Sequence, residues 1–249
     1  MRHEEFAAHA RVEDHHWWFT ARRQILLALL RRVAPPGSPV VDIGCGTGGN
    51  AAAFHAAGHR VVGVDVSEQA IAYARERFPQ VRFALSDAPM EFVEALRPDG
   101  TAVLTDVLEH VDDDRALLEA AITAVPAGGH LFLTVPADAS LWSPHDVAFG
   151  HRRRYELEEF RQLWQGLGVS ERLLSPYNSR LYPPIALIRR LARGSALRPG
   201  GDLDLPSRAI NALLRRTFAG ERHRLVAALD RGVAPYRRGI SLLAVLRKS

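Results

Sequence analysis

The stretch Val40-Val41-Asp42-Ile43-Gly44-Cys45-Gly46-Thr47-Gly48-Gly49-Asn50 constrains the fold more than any other part of the chain. An apolar, β-branched run gives way to a glycine cluster and then to a helix starting near Asn50, the strand–turn–helix order of an α/β domain. Glycine lets the backbone enter positive φ and lets a ligand approach the main chain closely. The helix start that follows presents unpaired N–H groups. Gly44, Gly46 and Gly49 also satisfy the G-x-G-x-x-G spacing of dinucleotide sites, so the glycines alone leave the ligand open. Asp42 narrows it, because a carboxylate two residues before the first glycine repels a pyrophosphate and suits a ligand carrying an ammonium group.

Downstream, strand and helix signals alternate. Apolar or β-branched runs at 40–43, 60–64, 81–85, 102–105 and 130–135 read as strands. Helical patterns lie between them at 50–57, 68–77, 91–96 and 112–125, with Ser67 as an N-cap. An amphipathic helix at 14–33 precedes them and stops at Pro35-Pro36-Gly37. Further strands are expected at 169–174 and 240–246, after a helix at 156–167. This alternation predicts an α/β fold, a Rossmann-like, doubly wound, mostly parallel sheet of seven strands. The chain divides as one domain over 1–249: an N-terminal helical cap (1–37), a core (38–174) with a long polar loop (137–155), a helical insertion or lid (175–239), and the last strand (240–249). Ligands of such sheets bind beyond the carboxyl ends of the strands, where strand order reverses. Asp42, Asp65, Asp87 and Asp106 all fall at or just after such ends, which argues for one shared site.

At 249 residues with 47% hydrophobic and 24% charged residues, the chain is a globular protein able to bury a full core. No apolar run reaches the roughly 18–20 residues of a membrane span, and Met1-Arg2-His3-Glu4-Glu5 is no signal peptide; a cytoplasmic location is the expectation. A single cysteine, Cys45, excludes an intrachain disulfide or a multi-cysteine metal site. The pI near 9.7 suggests nucleic acid, yet the net charge is only +4 and Lys248 is the sole lysine. The local clusters Arg152-Arg153-Arg154, Arg189-Arg190 and Arg215-Arg216 say more than the total.

The run Asp42-Ile43-Gly44-Cys45-Gly46-Thr47-Gly48 resembles the first motif of class I S-adenosylmethionine (SAM)-dependent methyltransferases. Asp65, Ser86-Asp87-Ala88, Asp106-Val107-Leu108-Glu109-His110 and Ala127-Gly128-Gly129 resemble their later motifs, in the same order. Two further patches are similar to a bacterial subgroup often associated with glycan and cell-envelope biosynthesis. They are His16-Trp17-Trp18-Phe19-Thr20-Ala21-Arg22-Arg23, and Leu141-Trp142-Ser143-Pro144-His145-Asp146 with Gly150-His151-Arg152-Arg153-Arg154-Tyr155.

The resemblance implies a cofactor site built from Asp42, Gly44, Cys45, Gly46, Gly48, Asp65, Val66, Ser86, Asp87, Ala88, Asp106, Val107, Trp18 and Arg22. Asp65 offers two oxygens to the ribose hydroxyls, and this residue suits NAD equally. Asp87 would accept from the adenine amino group while Ala88 supplies a backbone N–H. Asp42 orients the glycine loop and holds the ammonium group, or caps the loop without touching ligand. Cys45 fits as a small residue among glycines and has no activating partner in sequence. The aromatics of 17–19 suit either helix packing or a sulfonium by cation–π attraction. Arg22 could pair with the methionine carboxylate.

For acceptor chemistry the loop 137–155 stands out, since long polar loops beyond a carboxyl edge are usually functional. His145 is the first expected general base, with His151 and His110 behind it; Asp146, Arg152, Arg153 and Tyr155 are the expected substrate contacts. The spacing of His145, Asp146 and His151 matches no zinc motif, and no metal is expected. In 181–193, apolar residues and arginines share one helical pattern, suited to a lid or to the surface of an anionic membrane. The expected activity is SAM-dependent methylation, chiefly of oxygen, on a small-molecule or a sugar- or lipid-linked acceptor, with no nucleic-acid ligand and no obligate protein partner. A nucleic-acid methyltransferase, an NAD-dependent oxidoreductase and a non-catalytic SAM-binding subunit are the competing readings.

Overall fold

The computed structural model describes residues 3–191 and 204–249. In chain order the elements are α1 (His3–Val12), α2 (Trp17–Val33), β1 (Pro39–Ile43), α3 (Gly49–Ala56), β2 (Arg60–Asp65), α4 (Glu68–Arg77), β3 (Arg82–Leu85), α5 (Met90–Glu94), β4 (Thr101–Thr105), α6 (Asp114–Ala124), β5 (His130–Pro136), α7 (Pro144–Phe149), α8 (Leu157–Gln162), β6 (Val169–Tyr177), α9 (Tyr182–Leu191), α10 (Arg208–Ala219), α11 (Arg222–Arg231) and β7 (Ser241–Lys248). The seven strands form one sheet in the order β3-β2-β1-β4-β5-β7-β6. Strands β1 to β5 pair in parallel, and β7 runs antiparallel between β5 and β6. The expected doubly wound, mostly parallel, seven-stranded architecture is therefore the one observed. Strand order reverses between β1 and β4, which opens the cleft at their carboxyl ends.

Both faces of the central strands are covered, so these strands read as continuous apolar runs. Alternate residues go to opposite faces. Val40, Val103 and Phe132 join Ile25, Leu29 and Phe54 on one side, whereas Val41, Leu104 and Leu133 join Leu118, Ile122 and Phe160 on the other. Each such fully buried side chain contributes about 2 kcal/mol of hydrophobic stabilisation.

Three expectations need correction. The N-terminal helix expected at 14–33 starts at Trp17, because the His16 ring takes the N-cap and its Nδ1 accepts from the Trp18 N–H at 3.3 Å. A separate helix, α1, precedes it. The loop 137–155 contains α7, entered through Pro144 at its first turn with the Asp146 carboxylate accepting from the Ser143 N–H at 2.9 Å. Finally β6 continues through Pro176 to Tyr177, pairing with Leu242 and Ser241 of β7. A proline is tolerated there because β6 is an edge strand, so the insertion begins after Tyr177.

The insertion turns back over the N-terminal cap. Asn211 on α10 accepts from the Trp17 N–H and donates to the His15 carbonyl, both at 2.8 Å, and Phe218 packs edge-on against Trp17. Ala192 and Arg193, at the end of the expected arginine-bearing helix, lie outside the described residues. Among the described residues no helix is long and apolar enough to cross a membrane.

Candidate active site

The turn after β1 is held by its neighbours. The N–H groups of Gly44 and Cys45 both donate to the Val64 carbonyl, at 2.8 and 3.1 Å. Asp65 accepts from the Gly46 N–H through one oxygen and from the Ser67 N–H through the other, each at 2.9 Å. Gly44 has φ of 68°, and a Cβ there would stand 2.6 Å from a Val107 methyl, so this position is fixed by both backbone and space. Cys45 is buried; burial, with Asp42 and Asp65 beside it, pushes its thiol up, which makes it a packing residue.

Asp42, in β1 between Gly63 and Val103, is 0% exposed. Neither of its oxygens has a well-formed hydrogen bond among the described residues, although the Ala51 N–H lies close enough to favour the anion. Burial, reinforced by Asp65 and Glu13 against the opposing charge of Arg22, raises its pKa to about 7. An unpartnered carboxylate beneath a glycine loop fits a cationic ligand group.

A network invisible in the sequence clamps this loop from α1. Thr47 donates to Glu13 through Oγ1, which also lies 2.9 Å from His9 Nδ1. Arg77 pairs with Glu13 and donates to the Thr47 carbonyl at 2.9 Å. Although burial disfavours the Glu13 anion, His9, Arg77 and Arg23 together hold its pKa below the ordinary value. These partners are 34 and 64 residues from Glu13, so no local motif marks them.

On α2 the Arg22 guanidinium lies 4.3 Å from the Trp18 ring centroid. Arg22 forms an ion pair with Asp106. Asp106 has φ of 57° and its other oxygen accepts from Thr134 Oγ1 at 2.9 Å. On the far side Val66 is 72% exposed and Leu85 49%, two apolar surfaces at the ends of β2 and β3. Asp87 is exposed. The Ala88 N–H, expected to face adenine, donates to Ser86 Oγ at 3.0 Å.

The loop 137–155 is organised around Asp146. This fully buried carboxylate accepts from Ser143, from Arg154 Nε at 2.9 Å and from His151 Nδ1 at 2.9 Å. Burial opposes its ionisation, yet the His151 hydrogen bond and the Arg154 charge hold its pKa well below the carboxylate range. The Arg152 N–H donates to the Glu109 carbonyl at 2.8 Å, which sets the neighbouring His151 against the end of β4. The His110 and His151 rings meet edge to face at 4.9 Å, and burial followed by His151 lowers the His110 pKa to about 4. His145 stacks on Phe149, its ring 6.2 Å from that of His151.

Several expected substrate contacts are internal. Asp146 and Tyr155 are buried, and the Tyr155 hydroxyl donates to Asp114 at 2.7 Å. Arg153 pairs with Asp114 at 2.9 Å. Arg152 pairs with Asp112 and donates to the His110 carbonyl at 2.9 Å. These groups tie the loop to the segment before α6, and their charges are already matched. Arg154, of the arginine cluster, and Glu109, of the Asp106–His110 motif, are both buried.

This strand order, with a pinned glycine loop and an unpartnered carboxylate at its switch point, defines an α/β enzyme domain that binds a nucleotide-like cofactor. The family profile described as "Methyltransferase domain" matches residues 15–174, more than half of the chain. The chain belongs to this family, whose methyl donor is S-adenosyl-L-methionine. A trans-aconitate 2-methyltransferase of Variovorax paradoxus is 37% identical over 134 residues, 52% of this chain and 49% of that protein. A ubiquinone biosynthesis O-methyltransferase of Ralstonia nicotianae is 32% identical over 133 residues, 48% of this chain and 56% of that protein. The chain thus spans about half the length of these curated relatives. Among solved structures, a methyltransferase in complex with the Trm112 activator of Haloferax volcanii shares the fold, with TM-score 0.58 and 17% identity over 98% of this chain and 94% of that one.

Proposed function

We propose that the protein transfers a methyl group from S-adenosyl-L-methionine to an oxygen of a small-molecule acceptor. The observation that carries this reading is the His151–Asp146 pair set against His110 in the segment that follows β4. Bound S-adenosyl-L-methionine supplies a methyl group already activated on a sulfonium, so the protein's task is proximity and alignment. Asp42, as the anion, receives the ammonium of the amino-acid tail. Asp65 keeps spare lone pairs for ribose hydroxyls while holding the loop. Val66 and Leu85 flank the adenine, with Ser86, Asp87 and Ala88 at its edge, and Trp18 and Arg22 form the wall contributed by α2. His151, oriented through Nδ1 by Asp146, drives loss of the acceptor's hydroxyl proton at Nε2. His110 and His145 shape the pocket around it.

The names of the two relatives support a small acceptor, and the second supports oxygen. A sugar- or lipid-linked hydroxyl compound is the finer class, supported by the two bacterial-subgroup patches and by the outward face of the insertion. Leu187 and Ile188 of α9, and Ile210 and Leu213 of α10, are exposed, as are Arg190 of the first helix and Arg208, Arg215 and Arg216 of the second, a composition suited to peripheral contact with an anionic membrane from the cytoplasmic side. The test is transfer of labelled methyl from S-adenosyl-L-methionine into lipid, sugar-nucleotide and nucleic-acid fractions. Label in either of the first two supports the reading, and label in nucleic acid alone refutes it.

A further inference from the structure

Glu109 is the least explained residue of the molecule. It is fully buried after β4, and neither carboxylate oxygen has a hydrogen-bond partner among the described residues. A carboxylate withdrawn from water without a partner costs several kcal/mol, so it persists where a proton or a cation meets it. The surroundings favour a cation. Ligand atoms of Glu109, His110 and His151, one from each, lie within 4.8 Å of one another. Two imidazoles and a carboxylate converging at that distance form a ligand set.

The neighbours prepare each group for this role. The His110 ring stands edge to face against that of His151, 4.9 Å between centroids, and an imidazole binds a metal through a ring nitrogen lone pair. His151 is tied at Nδ1 to Asp146, which leaves the lone pair on Nε2. A carboxylate on the far nitrogen is the support that metal-ligating histidines commonly carry. Asp146 is itself fixed by Arg154 and Ser143, so the ring cannot swing away.

We propose that Glu109, His110 and His151 bind one divalent transition-metal cation on the acceptor side of the cleft. Nitrogen-rich mixed ligation suits the Mn²⁺ to Zn²⁺ series better than Ca²⁺. Three protein ligands leave open positions, which selects an acceptor presenting two adjacent oxygens, a vicinal diol or a hydroxy acid. The inference rests on methyl transfer to oxygen, and here His151 acts through the cation. The cation takes the acceptor hydroxyl and lowers its pKa, and the proton leaves to water. The oxygen then bonds to the methyl carbon as the carbon–sulfur bond breaks toward sulfur, with no change in metal oxidation state.

The experiment is titration of chelator-treated protein with Mn²⁺, Co²⁺ and Zn²⁺ by calorimetry, with Co²⁺ visible absorption reporting nitrogen ligation. One site per chain is expected, weakened tenfold or more by His151→Ala and by Glu109→Gln. His110→Ala is the third variant, and thermal melting establishes that each variant is folded. Failure of wild-type protein to bind any of the three cations, or binding unchanged in all the folded variants, overturns the proposal. Full methyl transfer by the chelator-treated protein also overturns it, while leaving the methyltransferase reading standing.

Discussion

Replacing Asp42 by Asn separates two consequences of burying a carboxylate at the end of β1. In the folded protein this group titrates near 7, against 3.8 for the ordinary side chain. It therefore binds its proton more tightly folded than unfolded. Stability conferred by the protonated acid is present below about pH 4, declines as pH rises from 4 to 7, and is gone above 7. The whole difference is worth about 4 kcal/mol, and the part between pH 5.5 and 8 about 2 kcal/mol. Asn carries no titration, so urea unfolding of the cofactor-free variant should lack that pH dependence. At pH 8 the variant should be more stable than the wild type by about 1–3 kcal/mol, because the buried amide still lacks partners. Cofactor binding should move the other way. If the Asp42 anion holds the ammonium group, calorimetry should give a roughly tenfold weaker S-adenosyl-L-methionine affinity at pH 6 than at pH 8. Asp42→Asn should bind at least about tenfold more weakly at pH 8, through loss of a charge-assisted hydrogen bond. A wild-type affinity that stays flat from pH 6 to 8, or an Asn variant that binds as tightly, would refute the reasoning.

Two further outcomes follow from the acceptor side and the insertion. Asp146→Asn should lower kcat by about 10²- to 10⁴-fold with the KM for S-adenosyl-L-methionine unchanged; a folded variant retaining a third of wild-type kcat sinks the orienting role. In flotation assays the protein should rise with vesicles one third anionic and not with neutral ones, and Ile210→Asn with Leu213→Asn should abolish this; equal recovery from both vesicles would remove the membrane reading.

The sheet was legible because its signals are local: continuous apolar runs along β1, β4 and β5, Ser67 before α4, and the glycines after β1 each act within a few residues. The misplaced boundaries have local causes too. Pro176 looks like a strand breaker until β6 is known to be an edge, and the Ser143–Asp146 spacing is a capping box that was passed over. The site's interior was less legible, since charge pairing is a long-range property. Arg152 and Arg153 look like anion receptors in sequence and are neutralised by Asp112 and Asp114 some forty residues away. His145 and His151 are equivalent by composition, and it is the orientation of α7 that gives Asp146 to His151. Glu13 and Thr47 meet only because α1 folds back over the loop.

The bond between the Trp17 N–H and Asn211 joins residues 194 apart in sequence. Ribosomes add about 5–20 residues per second, so the cap waits at least about 10 s after its own synthesis for the helix that braces it. During that interval the parallel core can form while Trp17 and its neighbours remain without their final cover. The roof of the cleft is thus set after the five parallel strands have been made, and a nascent chain has a floor for its cofactor before it has a closed chamber.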